Sequence, residues 1–252
     1  MPRRLRIENL GYHHVYNRGV AKGNVFEDQH DKAKFIDLMA MISREFKFNI
    51  HAFCLMDNHY HILLENKREN LSAGMRQLNA QYASYFNKRH DRVGHLWQDR
   101  FKSWYVLDEH YLFTLFKYIE TNPLKAQLSA KVGEYPYCAS YSILKDAIPP
   151  FLQNSFVLKH YNTQEIFNTL DIPLNEAELK HIEALKQTKY TKKEGEIMPL
   201  HVKPLAEYFL HVKHKSERND AIKEAYHDGY TKSDIARYLN LSVAGVCKIF
   251  KS

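Results

Sequence analysis

The stretch Phe48–Asn66, FNIHAFCLMDNHYHILLEN, decides how this chain folds. Phe48 to Met56 is rich in β-branched and aromatic residues, Asp57-Asn58 is a turn pair, and His59 to Leu64 resumes the strand pattern. The segment therefore reads as a β-hairpin. Upstream, residues 12–20 (YHHVYNRGV) read as a first strand ending in a turn at Arg18-Gly19, and Phe35, Leu38, Met39 and Ile42 mark one face of a helix. Downstream, a second helix runs from about Leu71 to Lys88 with Met75, Leu78, Tyr82 and Tyr85 on one stripe. Phe101–Leu107 gives a fourth strand, and Asp108 is placed to cap a third helix that stops before Pro123. The order β-α-β-β-α-β-α predicts an α+β fold, a ferredoxin-like split βαβ: an antiparallel sheet with helices on one face and the other face left for function.

Strand alternation puts His59 and His61 on the same face, with Tyr60 turned the other way into the core. Two imidazoles so placed can hold a divalent metal or contact a phosphate. The pair is also an ordinary occurrence in a chain with 15 histidines. The third helix, DEHYLFTLFKYIETNPLKAQL (108–128), has Leu112, Leu115, Phe116 and Ile119 as its core stripe, with Tyr118 and Asn122 at i and i+4 along the edge. Against a histidine-bearing sheet face, the phenol suits nucleophilic attack on a metal-oriented phosphodiester. From spacing alone, Tyr118 reads equally well as a half-buried core tyrosine and Asn122 as the last helical residue before proline. Tyr111 and Tyr105 compete for the nucleophile's role, but Tyr111 has Leu115 instead of an amide four residues on.

The net charge of +7 and pI near 9.1 favour a polyanionic partner. Many of the 17 Tyr and 14 Phe lie beside Lys, Arg or Asn, which suits the stacking of single-stranded bases, although core packing accounts for such rings too. No apolar run is long enough to span a bilayer, and the basic start MPRRLRIENLGYHH has no apolar stretch behind it. Cys54, Cys138 and Cys247 are odd in number and far apart, unlike any zinc or disulfide framework, so a cytoplasmic location is expected.

Ile148-Pro149-Pro150 closes a first region, 1–150. Residues 151–216 read as short helices and connections without recognisable chemistry, and 217–252 as a small helical module. In that module Thr231 is placed to cap a helix over Lys232–Leu239 and Ser242 a second over Val243–Phe250. Asn240 sits where the link needs a left-handed backbone, and Ala236 and Val246 lie where the helices would pack. The stretch resembles a helix-turn-helix, which would bring Ser242, Ala244, Gly245 and Lys248 nearest the bases of duplex DNA. A protein-contact role fits the same pattern.

HVYNRGV (14–20), AFCLMDNHYHILLEN (52–66), GHLWQDRFKSWYV (94–106), YLFTLFKYIETNPLKAQL (111–128) and the trailing YPYCASY (135–141) together resemble the single-tyrosine HUH transposases, and within them the REP-associated tyrosine transposase branch. The similarity covers roughly residues 10–145. It implies that 1–150 is a nuclease domain in which His59, His61 and Asn122 ligate Mg²⁺ or Mn²⁺ and Tyr118 is the nucleophile. Asn122 stands where related insertion-sequence enzymes have Gln, and an amide oxygen suits a hard cation in either form. Tyr60 departs from the bulky aliphatic residue usual between the two histidines. The implied activity is a metal-dependent endonuclease and strand transferase acting on single-stranded or hairpin DNA, REP-like palindromes included. It would carry a 5′-phosphotyrosine and leave a free 3′ hydroxyl, as a monomer or homodimer. Asn17, Arg18, Arg100, Lys102 and Trp104 are candidate DNA contacts, with Trp104 equally readable as core. Two alternatives stand beside this: a catalytically silent regulator that recognises structured DNA, and a metal phosphoesterase without a covalent intermediate.

Overall fold

A computed structural model describes residues 7–193, 196–200, 203–228, 230 and 232–250. The chain divides into two compact units, Met1–Lys186 and Gln187–Ser252.

The first unit is built on β1 (Gly11–Arg18), α1 (Gln29–Phe46), β2 (Phe48–Met56), β3 (His59–Asn66), α2 (Leu71–Arg89) and β4 (Lys102–Val106). The strands form one antiparallel sheet in the order β2-β3-β1-β4, the split βαβ arrangement. Asp28 starts α1 by accepting from the backbone N–H groups of His30 and Asp31 at 2.9 and 3.1 Å, and Lys47 ends it in the left-handed region at φ 58°. The Asp57-Asn58 turn is pinned from outside: the Asp57 carbonyl accepts from Val25 N and Phe26 N, and Lys32 Nζ donates to Asp57 Oδ1 at 2.8 Å.

Behind β3, on the side of α1 and α2, the Tyr60 ring is fully buried against Phe35, and its hydroxyl is hydrogen-bonded to the Asn79 side chain. Asn17 Nδ2 donates to Asn79 Oδ1 at 3.0 Å, so β1, β3 and α2 meet in one buried polar cluster. Such a cluster is tolerated because its members are hydrogen-bonded to one another.

The expectation of helices on one face holds only for α1 and α2. On the opposite face α3 (Leu112–Glu120) packs on β2 and β3, and it is followed by α4 (Asn122–Lys125), α5 (Ala139–Leu144), α6 (Phe156–His160), α7 (Thr163–Asp171) and α8 (Glu176–Gln187). The sheet is covered on both sides because β2 and β3 are apolar on both, as Leu63 and Ile62 show by being equally buried. The expected boundary at residue 150 also shifts. Leu152, Phe156, Val157, Ile166 and Leu170 belong to the same core as the sheet. The register of β2 shifts between Ile50 and Ala52, and His51 in that bulge anchors the later segment. Ser155 Oγ donates to the His51 carbonyl at 3.2 Å and Phe156 N to His51 Nδ1 at 3.1 Å.

The second unit contains a hairpin, β5 (Lys189–Lys193) with β6 (Glu196–Leu200), in a region expected to be helical. Then come α9 (Leu205–Phe209), α10 (Lys215–His227), α11 (Lys232–Tyr238) and α12 (Val243–Ile249), around a small core that includes Ile222, Ala225, Ile235, Ala236 and Val246. Asn240 links the last two helices at φ 53°, and Ser242 Oγ accepts from Gly245 N at 3.0 Å to cap α12. Thr231 lies outside the described residues. Among the described residues no helix is long and apolar enough to cross a membrane.

Candidate active site

Antiparallel register fixes what faces α3. Tyr16 pairs with His61 and Arg18 with His59 across β1 and β3, while His14 pairs with Trp104 and Tyr16 with Lys102 across β1 and β4. Cross-strand partners share a face, so His14, Tyr16, Arg18, His59, His61, Lys102 and Trp104 all project to one side. The rings form a continuous aromatic floor: His61 lies 5.1 Å from both His14 and His59, 5.0 Å from Tyr16, and His14 lies 5.0 Å from Trp104, centroid to centroid.

Burial removes charge from this floor. Desolvation first, then Lys186, lowers the His14 pKa to about 3. Desolvation and then Arg18 bring His59 to about 4, and desolvation followed by the neighbouring histidines holds His61 well below the ordinary imidazole range. All three rings are neutral at pH 7, the form that ligates a metal. Hydrogen bonding then fixes the His59 tautomer. Asn58 Oδ1 can only accept, so His59 Nδ1–H donates to it at 2.6 Å and Nε2 keeps its lone pair. His14 Nε2 and His61 Nδ1 lie 2.9 Å apart. With the hydrogen on His61 Nδ1, His61 Nε2 is likewise a lone-pair donor, and His14 Nε2 accepts from the ring and holds its orientation. The histidine pair fits a divalent metal on these grounds. Among the described residues no group of three His, Cys, Asp or Glu side chains is placed to hold a metal ion, so such an ion would rest on two imidazoles and an amide.

Tyr118 on α3 meets this floor edge-on, its ring 6.2 Å from both His14 and His61. Leu115, Phe116 and Ile119 bury the neighbouring faces of the helix, which orients the phenol toward the imidazoles. The helix stops at Glu120, and Asn122 begins α4. Asn122 Nδ2 donates to the carbonyls of Tyr118 and Ile119 at 2.7 and 3.0 Å, bonds that leave Oδ1 out. Tyr111 is stacked on His181 with centroids 3.4 Å apart.

The remaining sequence candidates separate. Arg18 stays on the histidine face, with Nε donating to Gln98 Oε1, and exposed Lys102 opens β4 there. Trp104 also faces the histidines, but it is half-buried against His14, and its Nε1–H donates to the Lys186 carbonyl at 2.9 Å. Asn17 does not join them: it is buried on the α2 side within the Asn79 cluster. Arg100 precedes β4 and lines, with Arg76 and Trp97, a cleft of about 740 Å³ beside α2. In the second unit Ser242, Ala244 and Lys248 are exposed on α12, while the Gly245 N–H is consumed by the cap. Sequence reasoning missed His14, although strand alternation from His61 through the β1–β3 pairing would have found it. It also missed Lys125 and Lys186, for which no local pattern exists.

The site is thus a four-stranded antiparallel sheet whose α3 side carries clustered imidazoles beneath a helix-borne phenol. The family model described as "Transposase IS200 like" matches residues 7–122, which hold all four strands, both histidines, Tyr118 and Asn122. That segment, a little under half of the chain, is similar to the IS200-like transposase family. No curated protein matches the sequence. Among solved structures, a REP-associated tyrosine transposase bound to a REP hairpin is similar at 18% identity over 62% of this chain and 92% of that one, with a TM-score of 0.47. The tRNA(His) guanylyltransferase of Saccharomyces cerevisiae is similar at 9% identity over 81% and 93%, with a TM-score of 0.37. The assignment of residues rests on the geometry above and not on these two likenesses.

Proposed function

We propose that the chain is an HUH-type DNA endonuclease and strand transferase that cuts single-stranded or hairpin DNA through a 5′-phosphotyrosine intermediate. The observation that carries this reading is Tyr118 set edge-on over His14 and His61, with the phenol at a face whose histidines are held neutral. His59, His61 and Asn122 would hold Mg²⁺ or Mn²⁺, which when bound polarises and orients the scissile phosphate. The chain's own residues do the rest. The Tyr118 oxygen attacks phosphorus in line, the P–O3′ bond breaks, and the 3′ oxygen leaves as a hydroxyl while the phosphoester keeps the bond for rejoining. His14 holds His61 by its ring nitrogen, and Arg18 and Lys102 offer cations to the DNA backbone on the same face. In the second unit, α11 and α12 would act as a helix-turn-helix, with exposed Ser242, Ala244 and Lys248 turned to duplex DNA beside the hairpin.

The test is covalent capture. Labelled hairpin DNA with Mn²⁺ should leave an adduct that survives denaturation, lost in Tyr118→Phe and kept in Tyr111→Phe. An adduct that persists in Tyr118→Phe would overturn the assignment. Cleavage without any adduct would favour a phosphoesterase, and binding without cleavage a silent regulator.

A further inference from the structure

Two ammonium groups surround Tyr118, and neither comes from the sheet. Lys125 Nζ, on α4, and Lys186 Nζ, on α8, each lie 4.6 Å from the centre of the Tyr118 ring. Lys186 Nζ also donates to the Tyr118 phenol oxygen at 2.9 Å. An ammonium has no lone pair, so the phenol oxygen is the acceptor in that contact and its own proton is left out of it.

The position of Lys186 is built rather than incidental. Its side chain is only 25% exposed, and Glu183 reaches it at no closer than 3.5 Å. Three contacts fix α8 over the site: Tyr111 stacks on His181, Ile182 is buried, and the Trp104 indole N–H donates to the Lys186 carbonyl. The family match ends at residue 122, 64 residues before this lysine. The lysine is thus supplied by a part of the chain that the matched segment does not contain.

We propose that Lys186 is a catalytic residue, an ammonium that holds the Tyr118 oxygen for attack and then binds the phosphate joined to it. The inference rests on Tyr118 being the nucleophile. As the Tyr118 O–P bond forms and the P–O3′ bond breaks, the phenolic proton passes to solvent and the 3′ oxygen takes one up. Lys186 takes no part in that proton transfer, and its positive charge faces the oxygen as negative charge develops there. Lys125 Nζ lies equally close to the ring and adds a second positive charge beside it.

Single-turnover adduct formation on hairpin DNA with Mn²⁺ separates the outcomes, with DNA affinity measured in parallel. Lys186→Met should slow the adduct by about 10²-fold or more, the loss expected for one donor aimed at developing charge. DNA affinity should fall far less, and Lys186→Arg should recover much of the rate. Lys180→Met, which removes an equal charge from an exposed position on α8, should leave the rate unchanged. In a Cys247→Ser background, Lys186→Cys treated with 2-bromoethylamine rebuilds the ammonium and should restore the rate; this arm stands even if the Met variant folds poorly. A Lys186→Met rate equal to wild type would overturn the proposal, and a faster one would make the lysine a shield over Tyr118. A wild-type chain that forms no adduct sinks the nucleophile reading and this inference together. A wild-type adduct that is indifferent to Lys186 sinks only this inference.

Discussion

The two contributors to the Tyr118 environment come from opposite kinds of sequence. His59 and His61 stand two residues apart on one strand, and their shared face follows from the period of the backbone. Lys186 reaches the same tyrosine from 68 residues further along the chain, through a helix docked by stacking, burial and a single indole hydrogen bond. The strand side of the site is local and therefore rigid once the sheet forms. The helix side depends on tertiary docking and can be disturbed without touching the sheet.

Substitutions can pull these sides apart, beginning at the histidine floor. His14→Ala removes the hydrogen-bonded neighbour of His61 while leaving the proposed ligands and the proposed nucleophile in place. Mn²⁺ affinity, followed by the loss of the free-ion EPR signal, should weaken by about 10–100-fold; unchanged affinity would deny His14 that role. Next comes Ile166→Ala, a fully buried residue of α7, which should cost about 2–5 kcal/mol in denaturant unfolding. If it cost nothing, the second half of the first unit would not share the sheet's core.

A subtler effect is the acid response of His51. Burial first, then Lys159 and Lys67, lowers its pKa to about 3, against 6.5 when unfolded. Between those values the unfolded chain binds a proton that the folded chain refuses, so stability falls as pH drops below about 6.5 and is unaffected above it. His51→Gln should flatten part of that slope, the remainder belonging to His14, His59 and His61, whose pKa values are lowered in the same direction. The smallest effect expected is Ser242→Ala, which removes the α12 cap and should cost about 1 kcal/mol, read as reduced amide-exchange protection over α12.

The legibility of the sequence follows the same division. The β2–β3 hairpin, α2 and the side-chain facing of Tyr60 were readable because period-two and helical patterns act over a few residues. The pairing of Ser242 with α12 and the left-handed Asn240 were readable as local backbone chemistry. The docking of residues 151–186 was not, because a bulge at His51 and scattered apolar positions such as Ile166 carry no periodic signature. Asn17 misled for a similar reason: its motif neighbour Arg18 faces the histidines, and alternation turns Asn17 to the other side. Lys186 is one of many lysines until the fold brings it to Tyr118.

The buried cluster of Tyr60, Asn79 and Asn17 has a consequence for how the chain avoids misfolding. A one-residue slip of β3 would exchange Tyr60 with a histidine, driving imidazoles against α1 and α2 and stranding the Asn79 amide without its hydroxyl partner. Losing that buried hydrogen bond costs about 0.5–1.5 kcal/mol even though the Met75 carbonyl still accepts from the amide, before the loss of the Tyr60 packing is added. The hydroxyl of Tyr60 therefore works as a key that only one alignment of the strand can turn. The side of the sheet that faces α1 and α2 proofreads the side that faces Tyr118.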